Sequence, residues 1–189
     1  MTVIISALRR ILAAVALVAL LPVNLIIAAL LRIMQGKNVL FRQTRSGLGS
    51  KPFTLVKFRT MRDLRDAEGH LLPDEDRVTG IGTFLRKTRL DELPSLWNVV
   101  NGDIAIVGPR PLLPETIASL GERGVKRGSV PPGLTGWAQV NGNTLLSLDE
   151  KIALDLWYID NGHWRTDLSI LISTLGVMAA GEKRRRLQS

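Results

Sequence analysis

The sequence predicts an α+β fold, mainly helical, in which a membrane-embedded helical segment precedes a small folded domain. Three observations predict it. Apolar residues crowd into roughly the first 30 positions, a membrane-helix length. Short β-forming runs occur only in the middle of the chain, and apolar residues at helical spacing recur after residue 90. We place the boundary after residue 36, which gives a membrane segment over 1–36 and a domain over 37–189.

The N-terminal segment carries no charged residue from Ile11 to Leu31, which is long enough for a helix to cross a bilayer. A signal peptide is disfavoured, because the run exceeds an h-region and no cleavage site follows. Pro22 removes a backbone donor near the middle, and Asn24 adds a polar amide there. Basic residues flank both ends, so charge sets no orientation. A kinked helix that re-enters the cytosol and a plain spanning helix both remain open.

Charge and composition restrict the partners and the chemistry. Lys and Arg number 25 against 17 Asp and Glu, a net charge of +8 that favours acidic headgroups, phosphorylated substrates or nucleic acid. Nucleic acid lacks support, because no aromatic platform or helix-turn-helix motif is present. The absence of cysteine excludes disulfides and thiolate chemistry. Two distant histidines, His70 and His163, argue against a histidine zinc site.

The middle of the chain alternates short elements with breakers. Residues 53–59 (FTLVKFR) predict a strand, and the charged residues 63–76 predict a loop. A short helix is expected over 91–101, with Pro94 in its first turn and Gly102 at its end. The apolar run 104–107 follows it and ends at a rigid Gly-Pro-Arg-Pro turn.

Two helices are expected near the C-terminus. Ser147 and Glu150 have capping-box form and should open a helix whose apolar stripe is formed by Leu148, Ile152, Leu156 and Ile159. The apolar residues 168–180 precede the basic residues 183–186. This pattern predicts an interfacial amphipathic helix with a tail for acidic headgroups, although a core helix with a solvated tail fits equally.

The strongest candidate for chemistry is the adjacent carboxylate pair Asp91 and Glu92, downstream of Arg86, Lys87 and Arg89. A helix N-terminus and nearby cations keep a carboxylate ionised, and an ionised Asp can attack phosphorus or bind a divalent metal. Consecutive helical residues share no face, so only the first turn lets both serve one site. The alternative is that one carboxylate merely caps the helix, which is the commoner case for an isolated Asp-Glu pair.

Other charged residues offer weaker candidates. Arg110 stands between two prolines that fix its backbone, so its guanidinium could fork onto a phosphate, or the turn could be plain surface. Lys57 and Arg59 alternate with apolar residues and could contact phosphates. Asp74 and Asp76 match the Asp-x-Asp pattern of metal-dependent glycosyltransferases, although their charged surroundings favour a solvated loop.

Taken together, the motifs resemble the small monotopic phosphoglycosyl transferases of the bacterial sugar transferase family. Each motif is short, but their order extends over nearly the whole chain. After the N-terminal apolar segment with its central proline, the matching residues are 41–47 (FRQTRSG), 57–61 (KFRTM), 88–94 (TRLDELP), 108–112 (GPRPL), 132–142 (PGLTGWAQVNG) and 155–160 (DLWYID).

The resemblance implies transfer of a sugar-1-phosphate from a UDP-sugar to undecaprenyl phosphate, with release of UMP. Asp91 would be the nucleophile that carries the phosphosugar, and Glu92 would assist at a Mg²⁺ ion or in proton handling. Both carboxylates would therefore be metal ligands. Arg86 and Arg110 would hold phosphate oxygens, with Lys57 and Arg59 beside them.

The resemblance also implies a location. The N-terminal segment would be a re-entrant helix hairpin broken at Pro22, with the catalytic domain on the cytoplasmic face of the bacterial inner membrane. An anionic bilayer would be a partner, nucleic acid would not, and a homodimer is allowed.

Two other functions stay open: a metal-dependent glycosyltransferase that uses Asp74 and Asp76, and a non-catalytic basic membrane adaptor. Family members often carry Ser before the proline, where this chain has Leu21.

Overall fold

The structure is a computed structural model that describes residues 2–183. Helices dominate it, and two separate two-stranded sheets lie among them in this part of the chain, which agrees with the α+β prediction. The strands are β1 Leu40–Ser46, β2 Pro52–Phe58, β3 Ala105–Val107 and β4 Gly133–Thr135. The helices are α1 Thr2–Ala19, α2 Leu21–Gln35, α3 Asp74–Arg77, α4 Gly80–Lys87, α5 Leu96–Asn101, α6 Pro114–Ser119, α7 Glu122–Arg127, α8 Trp137–Val140, α9 Leu148–Asn161 and α10 Trp164–Ala180, and a 3₁₀ helix, here called the site helix, spans Leu90–Ser95.

The N-terminal segment is a bent pair of helices. Over residues 2–183 no single helix is both long and apolar enough to cross a membrane; Ser6–Ala19 and Leu21–Gln35 meet that requirement only together, with a bend of 57°. The break falls at Leu20 rather than at Pro22, which is the second residue of α2. A proline ring crowds the carbonyl four residues earlier and donates no hydrogen bond to it, so the helix is disrupted in the preceding turn.

Asn24 stabilises this bend. Its backbone N–H and its side-chain amide both donate to Leu20 O, each at 2.9 Å. The polar amide in the apolar segment therefore has a partner, and it supplies at the bend the hydrogen bonding that Leu21 cannot. One face of the pair packs on the domain: Ala13 joins a core with Leu55 and Val99. The other faces expose apolar side chains, including Leu8, Ile11, Leu12, Val15, Val18, Leu25 and Ile26.

The β1–β2 hairpin is the platform on which the site helix and α5 lie. It is antiparallel, with Leu40 opposite Phe58 and Ser46 opposite Pro52. Asn98 fastens α5 to it, because its Oδ1 accepts from Val56 N at 3.1 Å and its Nδ2 donates to Thr54 O at 2.8 Å. Ser95 Oγ donates to Val56 O at 2.7 Å. These hydrogen bonds fix the position of the site helix and α5 relative to β2.

The parallel pair β3–β4 depends on glycine. A Cβ at Gly136 would lie 2.1 Å from Gly108 O, and one at Gly133 would lie 2.1 Å from Gly108 N. The two backbone segments therefore touch, and only glycine leaves the room. This contact positions the Gly-Pro-Arg-Pro turn that begins at the end of β3.

Several expected elements are confirmed. The strand expected at 53–59 is β2, and the helix expected over 91–101 is the site helix followed by α5, which ends at Gly102. Both capping-box bonds of Ser147 and Glu150 are present at the start of α9. The apolar stripe predicted for α9 is partly wrong, because Leu148, which was included in it, is exposed, while Leu154, which was not, is buried. The charged loop contains one short helix, α3, and the basic tail beyond Lys183 lies outside the described residues.

We predict that Gly136→Ala lowers the free energy of unfolding by about 1–3 kcal/mol, because the new methyl group overpacks the contact with Gly108. Gly176→Ala is the matched control. Its Cβ would meet nothing within 4 Å in the middle of α10, so alanine should be neutral or stabilising there. Thermal unfolding in detergent compares the two, and equal midpoints would contradict the close approach.

Candidate active site

A polar cavity of about 530 Å³ lies between the β1–β2 hairpin, the site helix and the turn after β3. The six residues expected to act in catalysis or phosphate binding all line it, so the fold brings together groups that are up to 53 positions apart. They are Lys57, Arg59, Arg86, Asp91, Glu92 and Arg110. The sequence also contributes lining cations that were not singled out for binding, namely Arg45, Arg77 and Arg89. Among the residues that the structure describes, seven cationic side chains therefore line the cavity together with four carboxylates, which are those of Asp91, Glu92, Asp63 and Glu182.

Asp91 and Glu92 are the second and third residues of the site helix, and both are buried. The chain enters this helix through Arg89, whose left-handed backbone (φ 58°, ψ 13°) is uncommon outside glycine. Such strain persists where the surroundings enforce it, commonly at functional sites. No side chain caps the helix, so the simple capping role for either carboxylate is wrong. The tight first turn directs both acids into one cavity, as the sequence required.

Glu92 is held by two cations from different segments. Its Oε1 accepts from Lys57 Nζ at 2.6 Å and from Arg110 Nη1 at 3.1 Å. Burial alone would raise the pKa of Glu92, but the charges of Arg110, Lys57 and Arg89 outweigh it and lower that pKa to about 2. Glu92 is thus a fixed anion whose position is set by β2 on one side and by the proline turn on the other.

Asp91 is buried like Glu92, but it differs from Glu92 in its hydrogen bonding and in the direction of its pKa shift. No donor among the described residues reaches its carboxylate within hydrogen-bond distance, yet it lines the cavity. Burial and the adjacent Glu92 charge raise the pKa of Asp91, and the cations Lys57, Arg110 and Arg89 oppose this only in part. Nearby cations favour ionisation of both carboxylates, as expected from the sequence, but they outweigh burial only at Glu92. A carboxylate with a raised pKa and no partner is the more nucleophilic of the two.

The cationic wall has unused hydrogen-bond donors. The Nε groups of Arg45 and Arg59 are buried and meet no acceptor among the described residues. Burial and the nearby Arg110 charge lower the pKa values of Arg45 and Lys57, which indicates that positive charges crowd one another here. Arg86 donates from Nε to Thr60 Oγ1 at 2.9 Å at the rim. An anionic ligand would relieve both the crowding and the unpaired donors.

Arg110 is supported from behind by a buried ion pair. Arg127 donates to Asp155 Oδ2 from Nε at 2.9 Å and from Nη2 at 2.7 Å, and both side chains are nearly inaccessible. Arg127 Nη2 also donates to the backbone carbonyl of Arg110. The pair therefore fixes the turn that delivers the Arg110 side chain to Glu92. Sequence reasoning assigned neither residue a role, because nothing in their spacing shows that α7 and α9 meet beneath the turn.

A second cluster closes the far side of the cavity. Glu182 accepts from Arg89 Nη2 at 2.9 Å and from Thr144 N at 3.1 Å, and also from the Asn143 amide and the Thr144 hydroxyl. These bonds lower the pKa of Glu182 against the effect of burial. No sequence pattern indicates this contact, since Glu182 follows an apolar helix and its partners lie about 40 positions upstream or more.

The two residues of the Asp-x-Asp pattern lie elsewhere. Asp74 and Asp76 are exposed on α3 and do not line the polar cavity. Asp74 accepts from Arg77 at 3.4 Å, a surface pair of little energetic weight. The described residues therefore place no group of metal ligands around Asp74 and Asp76, which the glycosyltransferase alternative would require.

The two carboxylates could contribute to a magnesium site that is completed by substrate phosphates, but not to a site built from protein ligands alone. Within residues 2–183 no group of three or more His, Asp or Glu residues could hold a metal by itself. Mg²⁺ is commonly bound by one or two carboxylates together with substrate phosphates and water. The uncommitted oxygens of Asp91 fit that mode, whereas Glu92 Oε1 is already engaged.

The chain matches known proteins along most of its length. Residues 2–181 fit the sequence profile of the family described as bacterial sugar transferase. The chain is 49% identical over 154 residues to EpsL of Bacillus subtilis (strain 168), named an uncharacterized sugar transferase, covering 82% of this chain and 76% of that protein. It is 38% identical over 186 residues to the UDP-glucose:undecaprenyl-phosphate glucose-1-phosphate transferase of Xanthomonas campestris pv. campestris, covering 92% of this chain. An Escherichia coli (strain K12) protein of the same name is 37% identical over 175 residues, 87% of this chain. The chain spans 38% of the length of each of these last two relatives.

We predict that Glu92→Gln changes the acid sensitivity of the fold. The pKa of Glu92 lies at about 2 against an ordinary 4.5, so its charge stabilises the fold above pH 4.5 and this contribution disappears as the pH falls towards 2. The contribution is about 3 kcal/mol. The variant should be less stable than wild type at neutral pH and lose less on acidification. Chemical unfolding between pH 7 and pH 2 measures both.

Glu75→Gln is the matched control for this experiment, because Glu75 is exposed on α3. It should follow the wild-type pH profile. If Glu92→Gln also follows it, the buried ion cluster does not stabilise the fold in the way the contacts indicate.

Proposed function

Because the chain belongs to the bacterial sugar transferase family, we propose that it transfers a sugar-1-phosphate from a UDP-sugar to undecaprenyl phosphate and releases UMP. The names of the relatives from Xanthomonas campestris and Escherichia coli support this reaction class. The observation that carries the proposal is that the two adjacent carboxylates in the polar cavity differ in their hydrogen bonding. Asp91 is buried and unpartnered among the described residues, while Glu92 beside it is fully engaged by Lys57 and Arg110.

The first step uses Asp91 as the nucleophile. One carboxylate oxygen attacks the β-phosphorus of the UDP-sugar, and the bond from that phosphorus to the bridging oxygen breaks. UMP leaves with the bridging oxygen, and a phosphosugar remains as an acyl phosphate on Asp91. Arg45 and Arg59 have unpaired donors for the phosphate oxygens, and Arg86 stands at the rim. A Mg²⁺ ion, when bound, would offset the charge of the pyrophosphate.

The second step regenerates the enzyme. An oxygen of undecaprenyl phosphate attacks the same phosphorus, and the bond to Asp91 breaks. The products are a polyprenyl diphosphate sugar and the free carboxylate. A carboxylate leaves phosphorus readily, so a phosphate monoester suffices as the attacking group. Arg110, Lys57 and Arg89 lower the pKa of Glu92 to about 2, so we assign Glu92 the role of orienting Lys57 and Arg110 rather than of moving a proton.

The bent helix pair supports a location at the membrane. We propose that α1 and α2 enter one leaflet as a re-entrant hairpin of the bacterial inner membrane, with the catalytic domain on the cytoplasmic face. The exposed apolar faces of both helices and the basic charge of the chain support this placement. The reaction would begin a bacterial glycan pathway at the membrane.

We predict that Asp91→Asn lowers UMP release by at least about a thousandfold, because it removes the nucleophile and leaves the cavity in place. The protein is assayed in lipid nanodiscs with Mg²⁺, undecaprenyl phosphate and a panel of UDP-sugars. Asp74→Asn is the matched control and should retain wild-type turnover. Loss of activity in Asp74→Asn with retention in Asp91→Asn would favour the glycosyltransferase alternative, and no nucleotide product with any donor would favour the adaptor.

We also predict a covalent adduct on the wild type. When the donor is supplied without lipid acceptor, the intact mass should rise by one phosphosugar, and peptide mapping should place it on Asp91. Addition of undecaprenyl phosphate should remove the adduct. A wild type that turns over without any adduct, or an adduct on another residue, would contradict the two-step route.

A further inference from the structure

We propose that an apolar groove beside the polar cavity binds the polyprenyl chain of the lipid acceptor. This inference rests on the proposed function and assigns a place to its second substrate. The groove has a volume of about 270 Å³, and its lining is almost wholly apolar. Its walls include residues from the two terminal parts of the chain. Ala16 on α1 and Leu20 at the bend form one side, and Leu171, Val177 and Met178 on α10 form the other.

Most polar groups in the groove wall are hydrogen bonded, although the buried Oε1 of Gln139 has no partner among the described residues. Thr135 and Thr174 share a hydrogen bond of 2.7 Å between their hydroxyl groups. Thr174 also hydrogen bonds to Ile170 O, and the amide of Gln139 donates to Leu134 O at 3.0 Å. What faces the groove is therefore hydrocarbon, which suits an isoprenoid chain and offers little to a nucleotide or a sugar.

The groove and the polar cavity meet at the site helix. Arg89 and Glu92 line both of them, Asp91 lines the polar cavity, and Leu93 lines the groove. A lipid phosphate whose chain lies in the groove would have its head group beside Arg89, next to the phosphorus carried on Asp91. Charge complementarity thus orients the occupant, because the groove ends at Arg89 and Glu92 and adjoins the cations of the polar cavity, which would bind an anionic head group while the apolar groove holds its chain.

The groove is accessible from the apolar surface of the protein. Leu171 and Met178 are 40% and 37% exposed although they line it, so it is open along α10. On the other side of this helix Ile172 is 62% exposed, and α1 carries its own exposed apolar face. A chain that arrives within a bilayer can therefore pass from lipid into the groove without crossing a polar surface.

Tryptophan substitutions in α10 test the groove. Leu171→Trp and Met178→Trp should narrow it and raise the KM for undecaprenyl phosphate by at least about tenfold, a loss of about 1.4 kcal/mol in binding. The amount of UMP released in a single turnover without acceptor should stay equal to the amount of enzyme. Ile172→Trp is the matched control on the opposite face and should retain the wild-type KM. A wild-type KM in both groove variants would overturn the proposal.

A labelling experiment keeps the inference independent of turnover. An undecaprenyl phosphate with a diazirine in its chain is photolysed with the wild-type protein in nanodiscs, and the labelled peptides are mapped. Labelling at α1 and α10 groove residues, displaced by undecaprenyl phosphate but not by dioleoyl phosphatidic acid, is expected. Equal displacement by phosphatidic acid would assign the groove to bulk lipid, and labelling confined to the Ile172 face would exclude it. Absence of UMP with every donor would refute the proposed function and leave this labelling result to decide the groove.

Discussion

The buried charge of Glu92 is the constraint on which the rest of the site depends. A carboxylate taken out of water is costly unless it is paired, and here one oxygen meets Lys57 from β2 and Arg110 from the proline turn. Three segments that are distant in sequence are thereby held at hydrogen-bond distance. Because both cations hydrogen bond to Glu92, they act on the neighbouring Asp91 only through their charge, without a hydrogen bond to it among the described residues. Two acids of nearly identical chemistry acquire opposite properties from one set of contacts.

The contacts of Glu92 with Lys57 and Arg110 require that the segments carrying these three residues are rigidly positioned. Beneath the site helix, Asn98 and Ser95 are bonded to the backbone of β2, so Lys57 and Glu92 are set by the same strand. Behind Arg110, the buried Arg127–Asp155 pair and the glycine contact at Gly108 fix the turn. The supporting bonds are buried, and removal of one partner would leave a polar or charged group without compensation. Rigidity of this kind is what an oriented nucleophile requires.

Part of this design can be predicted from the sequence, and the remainder follows from tertiary contacts. The carboxylate pair, the capping box at Ser147 and the helix end at Gly102 were predictable because each depends on residues within a few positions. The contact of Glu182 with Arg89 was not, since it links segments 93 positions apart. The bend at Leu20 lies just ahead of Pro22, because a proline disrupts the turn before it. The direction of the pKa shift at Asp91 depends on burial and on how Glu92 uses the shared cations, which no local pattern reveals.

The position of the site helix explains why a covalent route suits this fold. A direct transfer would need a nucleotide sugar and a lipid phosphate aligned on one phosphorus at the same time, with several negative charges in one cationic cavity. The site helix instead separates a polar cavity from an apolar groove, and Arg89 and Glu92 line both. In the proposed reaction, the departure of UMP would remove negative charge from the cavity before the second anion arrives. The phosphosugar would stay on Asp91, so each substrate would need to be complementary to one side of the helix only.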